Sequence, residues 1–216
     1  MPAFSGKIEK FIESLQQRLE SSLPGVESQL KLAPVHRLKE LQEESPDEAV
    51  QSSVLLLLYP YNNKLYTHVI LRAEYEGIHS GQISLPGGRM EDSDSDHLET
   101  ALREAHEETG IDISKVRILG ALSRLYINRS NYVVFPFVGY TPERPSFKAD
   151  PVEVQEIIEI EIADLMKPDA LVYKTMFFKN GYSLSAPGFQ IRNHFMWGAT
   201  AMIFSEFLDI IQAISI

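Results

Sequence analysis

Three glutamates in the middle of the chain have a spacing that suits metal binding. Glu104, Glu107 and Glu108 are separated by three and four residues, so on a helix their side chains share one face. Carboxylates this close repel one another unless a cation lies among them, and such sites suit hard cations such as Mg²⁺ or Mn²⁺. A metal held there could polarise a phosphoryl oxygen and lower the pKa of a bound water. The alternative is a solvated acidic face, with Arg103 paired to Glu107.

A glycine-rich turn precedes this acidic segment. Pro86, Gly87 and Gly88 carry little side-chain bulk, so backbone groups there could approach an ion or a phosphate closely. The charge distribution agrees with such a site: residues 91–112 hold nine acidic side chains and one arginine, and residues 143–164 hold seven acidic and two basic ones. Because the net charge is −10, the remainder of the chain is mildly basic. Localised acidity suggests a divalent metal beside an anionic ligand, whereas a uniformly acidic chain would repel polyanions.

The composition is that of a globular protein. The chain has 216 residues, of which 44% are hydrophobic, enough for one domain with a substantial core. Its apolar runs are too short to span a bilayer, and its N-terminus lacks the long apolar core of a secretory signal. The absence of cysteine excludes disulfides and thiolate chemistry and fits a reducing compartment, so we expect a cytoplasmic location. We expect no nucleic-acid partner either, since the sequence has no basic stripe interleaved with aromatic residues.

The elements that must position the acidic segment can be read along the chain. Apolar residues recur every three or four positions over residues 5–22, which predicts an amphipathic helix: Ile8, Phe11, Ile12, Leu15 and Leu19. A second short helix is predicted around residues 36–44. We assign residues 1–48 to a helical arm, which could pack on the domain or on a second subunit of a homodimer, and residues 49–216 to the domain itself.

The rest of the sequence predicts strands interrupted by one central helix. The predicted helix covers residues 96–110 and ends at Gly110. Strands are predicted on either side of it and a long amphipathic helix ends the chain: two strands within 51–73 around a turn at 59–63, then 81–88, 115–122, 132–140 and the first part of 153–166, with the last helix within 188–214. This order predicts a layered α/β or α+β domain and not a regular βαβ series.

The segment from Gly88 to Ile111 resembles the Nudix box, whose usual form is G-x5-E-x7-R-E-U-x-E-E-x-G-U, with U a bulky apolar residue. Asp94 stands where glutamate is usual, eight residues separate it from Arg103, and Ala105 is smaller than the usual residue. These departures resemble the form typical of the coenzyme A pyrophosphatase subfamily. Two further segments are similar to that subfamily, "LRAEYEGIHSGQISLPGG" at 71–88 and "MWGATAMI" at 196–203.

The resemblance implies roles for particular carboxylates. Glu104 and Glu108 are the expected main ligands of a Mg²⁺ or Mn²⁺ ion, with Glu107 close by and the Gly87 carbonyl assisting. The family often draws one more carboxylate from a later loop. Glu153 matches that position best and Glu156 is the second choice; such a residue would bind metal or act as the base for water. An ordinary exposed carboxylate is the alternative reading of Glu153.

The resemblance also implies substrate contacts. His79, Arg72 and Gly88 are the expected substrate-binding residues, since guanidinium groups fit phosphate geometry and glycine permits close approach. A structural histidine and a surface arginine are the corresponding alternatives. We expect an α/β/α Nudix sandwich with a mixed sheet and an N-terminal helical arm.

The implied activity is hydrolysis of the diphosphate bond of coenzyme A or its derivatives, giving 3',5'-ADP and 4'-phosphopantetheine. One alternative is a Nudix hydrolase of another nucleoside diphosphate derivative, such as ADP-ribose or a dinucleoside polyphosphate. Another is a non-catalytic nucleotide-binding module, against which the three intact glutamates count. In every case the expected partner is a small nucleoside diphosphate compound and not a nucleic acid or a membrane.

Overall fold

The computed structural model describes residues 2–34, 46–73, 81–177 and 183–214. Its helices are α1 (Pro2–Leu19), α2 (Val26–Leu30), α3 (His97–Thr109), α4 (Ile162–Leu165) and α5 (Gly198–Gln212). Its strands are β1 (Val50–Tyr61), β2 (Lys64–Arg72), β3 (Ile83–Ser84), β4 (Gly87–Arg89), β5 (Arg117–Ala121), β6 (Leu125–Ile127), β7 (Tyr132–Tyr140), β8 (Val154–Glu161), β9 (Leu171–Phe177), β10 (Ser183–Ile191) and β11 (His194–Trp197). The second arm helix predicted around residues 36–44 lies outside the described residues.

Strand β1 forms the centre of the larger sheet and is buried on both faces. Leu55, Leu57 and Tyr59 face α3, whereas Leu56 and Leu58 face the cluster that contains α1 and α5. Successive side chains of a strand point to opposite faces, so an apolar run without alternation requires a layer on each side. The predicted α/β/α layering is therefore confirmed, with α3 on one face and α1 and α5 on the other.

The larger sheet is mixed. Strand β1 runs parallel to β7 along most of its length, with Val50 opposite Tyr132 and Leu58 opposite Tyr140. It also pairs antiparallel with β2 at one end and with β4 at the other. The remaining pairs of this sheet are antiparallel and include β2 with β8. Gly87 and Gly88 of the predicted glycine-rich turn are part of β4, so strand β1 brings them beside α3, and β2 brings Arg72 beside β8.

Helix α3 has a clear sequence signal for its beginning and another for its end. The Asp96 side chain accepts a hydrogen bond from the Glu99 amide at 2.9 Å, which satisfies one of the free donors of the first turn. Gly110 follows the helix in a left-handed conformation, with φ of 68°. Glycine adopts that conformation without a Cβ penalty, which is why it commonly ends helices. The prediction of a helix over residues 96–110 is confirmed.

The two ends of the described chain meet on the face opposite α3. Helix α1 buries Ile12, Leu15 and Leu19 in the larger apolar cluster, together with Phe204 and Phe207 of α5. The amphipathic helix predicted over residues 5–22 is confirmed, although it begins and ends three residues earlier, at Pro2 and Leu19. The division between arm and domain after residue 48 stays a prediction.

A buried carboxylate joins α2 to α5. Glu206 is fully buried and accepts hydrogen bonds from the Gly25 amide at 3.1 Å, from the Gln29 side chain at 3.1 Å and from the Ser123 amide at 3.2 Å. A buried charge is tolerated where such donors replace water. The bonds fix α2, which the sequence pattern does not predict because residues 26–30 lack a long apolar repeat.

A second sheet, of order β11-β10-β9, carries strands that the sequence pattern does not predict. Strand β9 leaves Leu171, Tyr173 and Phe177 exposed. It therefore lacks the alternation of buried apolar and exposed polar residues from which a strand is predicted. The predicted strand 81–88 is divided into β3 and β4, because proline at position 86 cannot donate to a ladder.

Candidate active site

Glu108 lies at the bottom of the acidic site. Its side chain is only 1% exposed. One carboxylate oxygen accepts from Arg72 Nη1 at 3.0 Å and the other from the Gly87 amide at 2.8 Å. Burial raises the pKa of Glu108 to about 7, although Arg72 and the Gly87 amide act in the opposite direction. The nearby carboxylates of Glu104 and Glu153 also raise this pKa, by less than burial does.

Glu104 lies directly against the glycine-rich turn. A Cβ added to Gly88 would fall within 2.5 Å of both Glu104 carboxylate oxygens, so a larger residue would displace this carboxylate from its present position. Burial raises the pKa of Glu104, while Arg103 lowers it and Glu107 and Glu153 raise it. Gly87 is restricted more strictly, because its φ is +152° and a Cβ there would overlap the fixed Ser53 carbonyl oxygen.

Arg103 organises the other side of the site. Its Nε and Nη2 atoms donate to the two oxygens of Asp94 at 2.8 and 3.0 Å, which is the bidentate geometry of a strong charged pair. Its Nη1 donates to Glu104 at 2.9 Å and to Glu107 at 3.0 Å. Glu107 is 56% exposed. Of the three glutamates on this face, it is therefore the most accessible to solvent.

Asp94 closes the preceding loop onto α3. Besides Arg103, it accepts hydrogen bonds from the Glu91 amide and from the Thr100 hydroxyl, both at 2.9 Å. These donors hold the pKa of Asp94 far below its usual range, with Arg103 the largest cause. Asp94 is nearly buried, and its side chain is fully engaged with these partners, so it holds the loop and Arg103 in place.

Residues 148–153, called the strap here, bring a later carboxylate to the site. The Lys148 and Asp150 amides donate to the Thr109 and Glu108 carbonyls at 2.8 and 3.0 Å, so the strap is bound to the last turn of α3. At its far end, the Glu153 carbonyl accepts from the Ala73 amide at 2.9 Å. The strap therefore connects the end of α3 to the end of β2.

Glu153 and Arg72 meet where the strap ends. Arg72 Nη2 lies 3.9 Å from a Glu153 oxygen, while its Nη1 is bonded to Glu108. Arg72 is 22% exposed and paired, unlike an isolated surface arginine. Glu156, the second choice for the later carboxylate, instead lies 3.4 Å from His194 Nε2 and 3.9 Å from Arg192.

The structure thus brings most of the predicted residues together: Glu104, Glu107, Glu108, Gly87, Gly88, Arg72 and Glu153. His79 lies outside the described residues. Sequence reasoning missed Asp150, the centre of the strap. Its only signal is an aspartate followed by proline at the start of "DPVEVQE", a combination that favours a turn.

The donor set fits a hard divalent cation. No three His, Asp or Glu side chains among the described residues converge as a finished metal site. Arg72 and Arg103 are bonded to these carboxylates instead. Glu104 and Glu108 are nevertheless two carboxylates on one face of α3 that are largely removed from water, and burial raises the pKa of each; oxygen ligands of this kind suit Mg²⁺ or Mn²⁺. The residues present therefore fit the metal that the acidic spacing predicts.

None of the described helices is both long enough and apolar enough to cross a bilayer.

The sequence of this chain is similar to a known protein family and to several of its members. A family model described as the NUDIX domain matches residues 49–184, more than half of the chain. The uncharacterized Nudix hydrolase NudL of Photorhabdus laumondii is 32% identical over 134 residues, which cover 62% of this chain and 71% of that protein. The mitochondrial coenzyme A diphosphatase NUDT8 of Mus musculus is 33% identical over 129 residues, which cover 59% of this chain and 61% of the mouse protein. That second match spans less than two thirds of the mouse protein.

Among solved structures, a C. elegans Ap4A hydrolase binary complex matches with a TM-score of 0.46 and 17% identity, covering 53% of this chain and 83% of that one. The family assignment rests on the sequence match. The matched residues include the glycine-rich turn, the carboxylate helix and the strap. The chain therefore belongs to the Nudix family and is a Nudix hydrolase.

Proposed function

We propose that this Nudix hydrolase cleaves the diphosphate bond of coenzyme A or of its derivatives, giving 3',5'-ADP and 4'-phosphopantetheine. The observation that carries the proposal is the position of Arg72. This arginine is the second residue of the segment at 71–88 that is similar to the coenzyme A subfamily, and its guanidinium lies 3.0 Å from Glu108. The segment thus leads directly into the carboxylate site. The 33% identity to a mouse coenzyme A diphosphatase supports the same substrate class.

The substrate is a dianionic diphosphate carrying a further phosphate, so the site needs positive charge. Nudix hydrolases generally use a divalent metal such as Mg²⁺. Glu104 and Glu108 would hold it, with Glu107 and the Gly87 carbonyl close by. When bound, Mg²⁺ or Mn²⁺ supplies Lewis acidity to a phosphoryl oxygen and to water. Arg72 contributes a planar donor pair that fits a phosphate.

Glu153 is the proposed base. Water adds to one phosphorus, the bond from that phosphorus to the bridging oxygen breaks, and Glu153 accepts a proton from the water. Glu153 suits this task because it is 56% exposed and lies beside Arg72 at the edge of the buried carboxylates. A base must be reachable by water and close to the reacting group.

The test is a comparison of substrates. The purified protein is incubated with coenzyme A, acetyl-coenzyme A, ADP-ribose and diadenosine tetraphosphate, with Mg²⁺ or Mn²⁺, and the products are separated. We expect 3',5'-ADP from coenzyme A to form faster than products from the last two compounds. The Glu108→Gln variant is expected to lose the activity, whereas Glu161→Gln, a matched change at the far end of β8, is expected to retain it.

Other outcomes have distinct meanings. Preferential cleavage of ADP-ribose or of diadenosine tetraphosphate would keep the Nudix chemistry and contradict the coenzyme A assignment. Full activity of Glu108→Gln would contradict the metal-binding role given to that carboxylate. Binding of coenzyme A without cleavage of any compound would favour a nucleotide-binding module.

A further inference from the structure

The strap is held in shape by one side chain. Asp150 Oδ1 accepts hydrogen bonds from the Val152 amide at 2.8 Å and from the Glu153 amide at 3.0 Å. The Asp150 backbone is bonded in both directions: its amide donates to the Glu108 carbonyl, and its carbonyl accepts from the Val154 amide, each at 3.0 Å. Asp150 therefore connects the backbone of Glu108 to the backbone of Glu153.

The contacts of the Glu153 side chain are too weak to hold Glu153 in position. Its nearest ion-pair partner, Arg72, is 3.9 Å away, and the Glu153 side chain is 56% exposed. Exposed pairs at such distances are worth little, because solvent screens them and both side chains lose entropy. The position of Glu153 is therefore set by its backbone, which is held on one side by the Asp150 side chain and on the other by the Ala73 amide.

The geometry of the strap also explains a constraint on α3. A Cβ added to Gly110 would lie 2.9 Å from the Lys148 Cβ, so the glycine that ends α3 also lets the strap approach this helix. Glu108 and Glu153, which lie 45 residues apart in the chain, are thereby held at one site.

We propose that Asp150 is a positioning residue for hydrolysis, which holds Glu153 in place relative to Glu108 and Arg72. This inference rests on the proposed function only in that Glu153 takes part in hydrolysis. It does not depend on which diphosphate is the substrate. Asp150 itself is turned toward backbone amides and has no contact with the reacting groups.

The test compares two substitutions of Asp150. Asp150→Asn keeps an acceptor oxygen for the two amides, whereas Asp150→Ala removes it. A matched control is Asp112→Ala, since Asp112 accepts from the Ser114 amide at 3.1 Å in a neighbouring turn that carries no proposed site residue. Activity is measured on whichever of the four diphosphates the unmodified protein cleaves fastest, so a wrong coenzyme A assignment does not affect the outcome.

We expect Asp150→Ala to lower kcat by about tenfold to a hundredfold, because small misplacements of a reacting group have effects of this size. KM should change by less than about threefold, since uniform substrate binding is retained. Asp150→Asn should retain most of the kcat of the unmodified protein, and Asp112→Ala should leave kcat unchanged. Thermal unfolding of the three variants provides a second measurement.

A double variant separates positioning from a general loss of stability. If Asp150 acts through Glu153, adding Asp150→Ala to Glu153→Gln should lower kcat little further. If the double variant instead lost kcat by the product of the two single-variant factors, the proposal would be overturned. Equal damage from Asp150→Asn and Asp150→Ala, or unchanged activity of Glu153→Gln, would also overturn it.

Discussion

His68 is a buried histidine whose protonation should destabilise the fold in mild acid. It lies on β2 with no exposed surface, its ring centroid is 4.6 Å from that of Phe147, and neither ring nitrogen has a hydrogen-bond partner among the described residues. Burial lowers the pKa of His68 from 6.5 to about 3, against a weaker opposing effect of Glu159. We therefore compare the protein with the His68→Leu variant, which replaces the ring by an apolar side chain.

The magnitude follows from proton linkage. Between pH 6.5 and pH 3, the unfolded chain binds a proton at His68 and the folded chain does not, so stability falls as the pH falls. One pKa unit corresponds to about 1.4 kcal/mol. At pH 5 the loss is therefore about 2 kcal/mol, and at pH 7.5 it is close to zero.

The assay is urea unfolding of both proteins between pH 7.5 and pH 5. Glu108 acts in the opposite direction, because its raised pKa favours the folded state as it becomes protonated below pH 7. That effect is shared by both proteins and cancels in their difference. The variant should gain about 2 kcal/mol relative to the unmodified protein over this range. A difference that stays constant with pH would refute the reasoning.

Two further changes test the packing of the site and of the helical layer. Gly88→Ala places a methyl group within 2.5 Å of the Glu104 carboxylate oxygens, so we expect kcat to fall by about a hundredfold. Gly6→Ala, whose Cβ would meet no atom within 4 Å, should leave kcat unchanged in the same assay. Glu206→Ala removes the acceptor shared by the Gly25 amide, the Ser123 amide and the Gln29 side chain, which keeps only its bond to the Ser123 carbonyl, and should lower the free energy of unfolding by about 3 kcal/mol. Glu27→Ala, on the exposed side of α2, should change it by less than about 0.5 kcal/mol in urea titrations.

The parts of the fold that the sequence predicts are those with a strong local pattern. Helix α3 has an aspartate before its first turn and a glycine after its last, and β7 was delimited by an uninterrupted apolar run at 132–140. The glutamate spacing depends on α3 alone, which is why the shared face of Glu104 and Glu108 can be foreseen. The sequence does not predict strand β9, because its side chains are largely exposed.

The relation between separate segments could not be read from the sequence. The pairing of Arg72 with Glu108 depends on β2 lying beside β8 and on the strap reaching the end of α3. Local sequence does not encode such register. Asp150 illustrates the point, since its importance appears only when its two amide donors and its bond to the Glu108 carbonyl are seen together.

The junction of α2 with α5 has a consequence for the order in which the protein assembles during synthesis. Gln29 and Glu206 are bonded although 177 residues separate them. A ribosome must therefore produce almost the whole described chain before Glu206 emerges, although Gln29 can bond earlier to the Ser123 carbonyl. The entropy of closing such a loop rises only slowly with its length, but the part of the apolar stripe of α1 that packs on Phe204 must wait for α5, whereas the contacts of α1 with β5 can form earlier. The contacts of α1 and α2 with α5 are thus among the last to form, and until then a nascent chain leaves this part of the stripe open to chaperones.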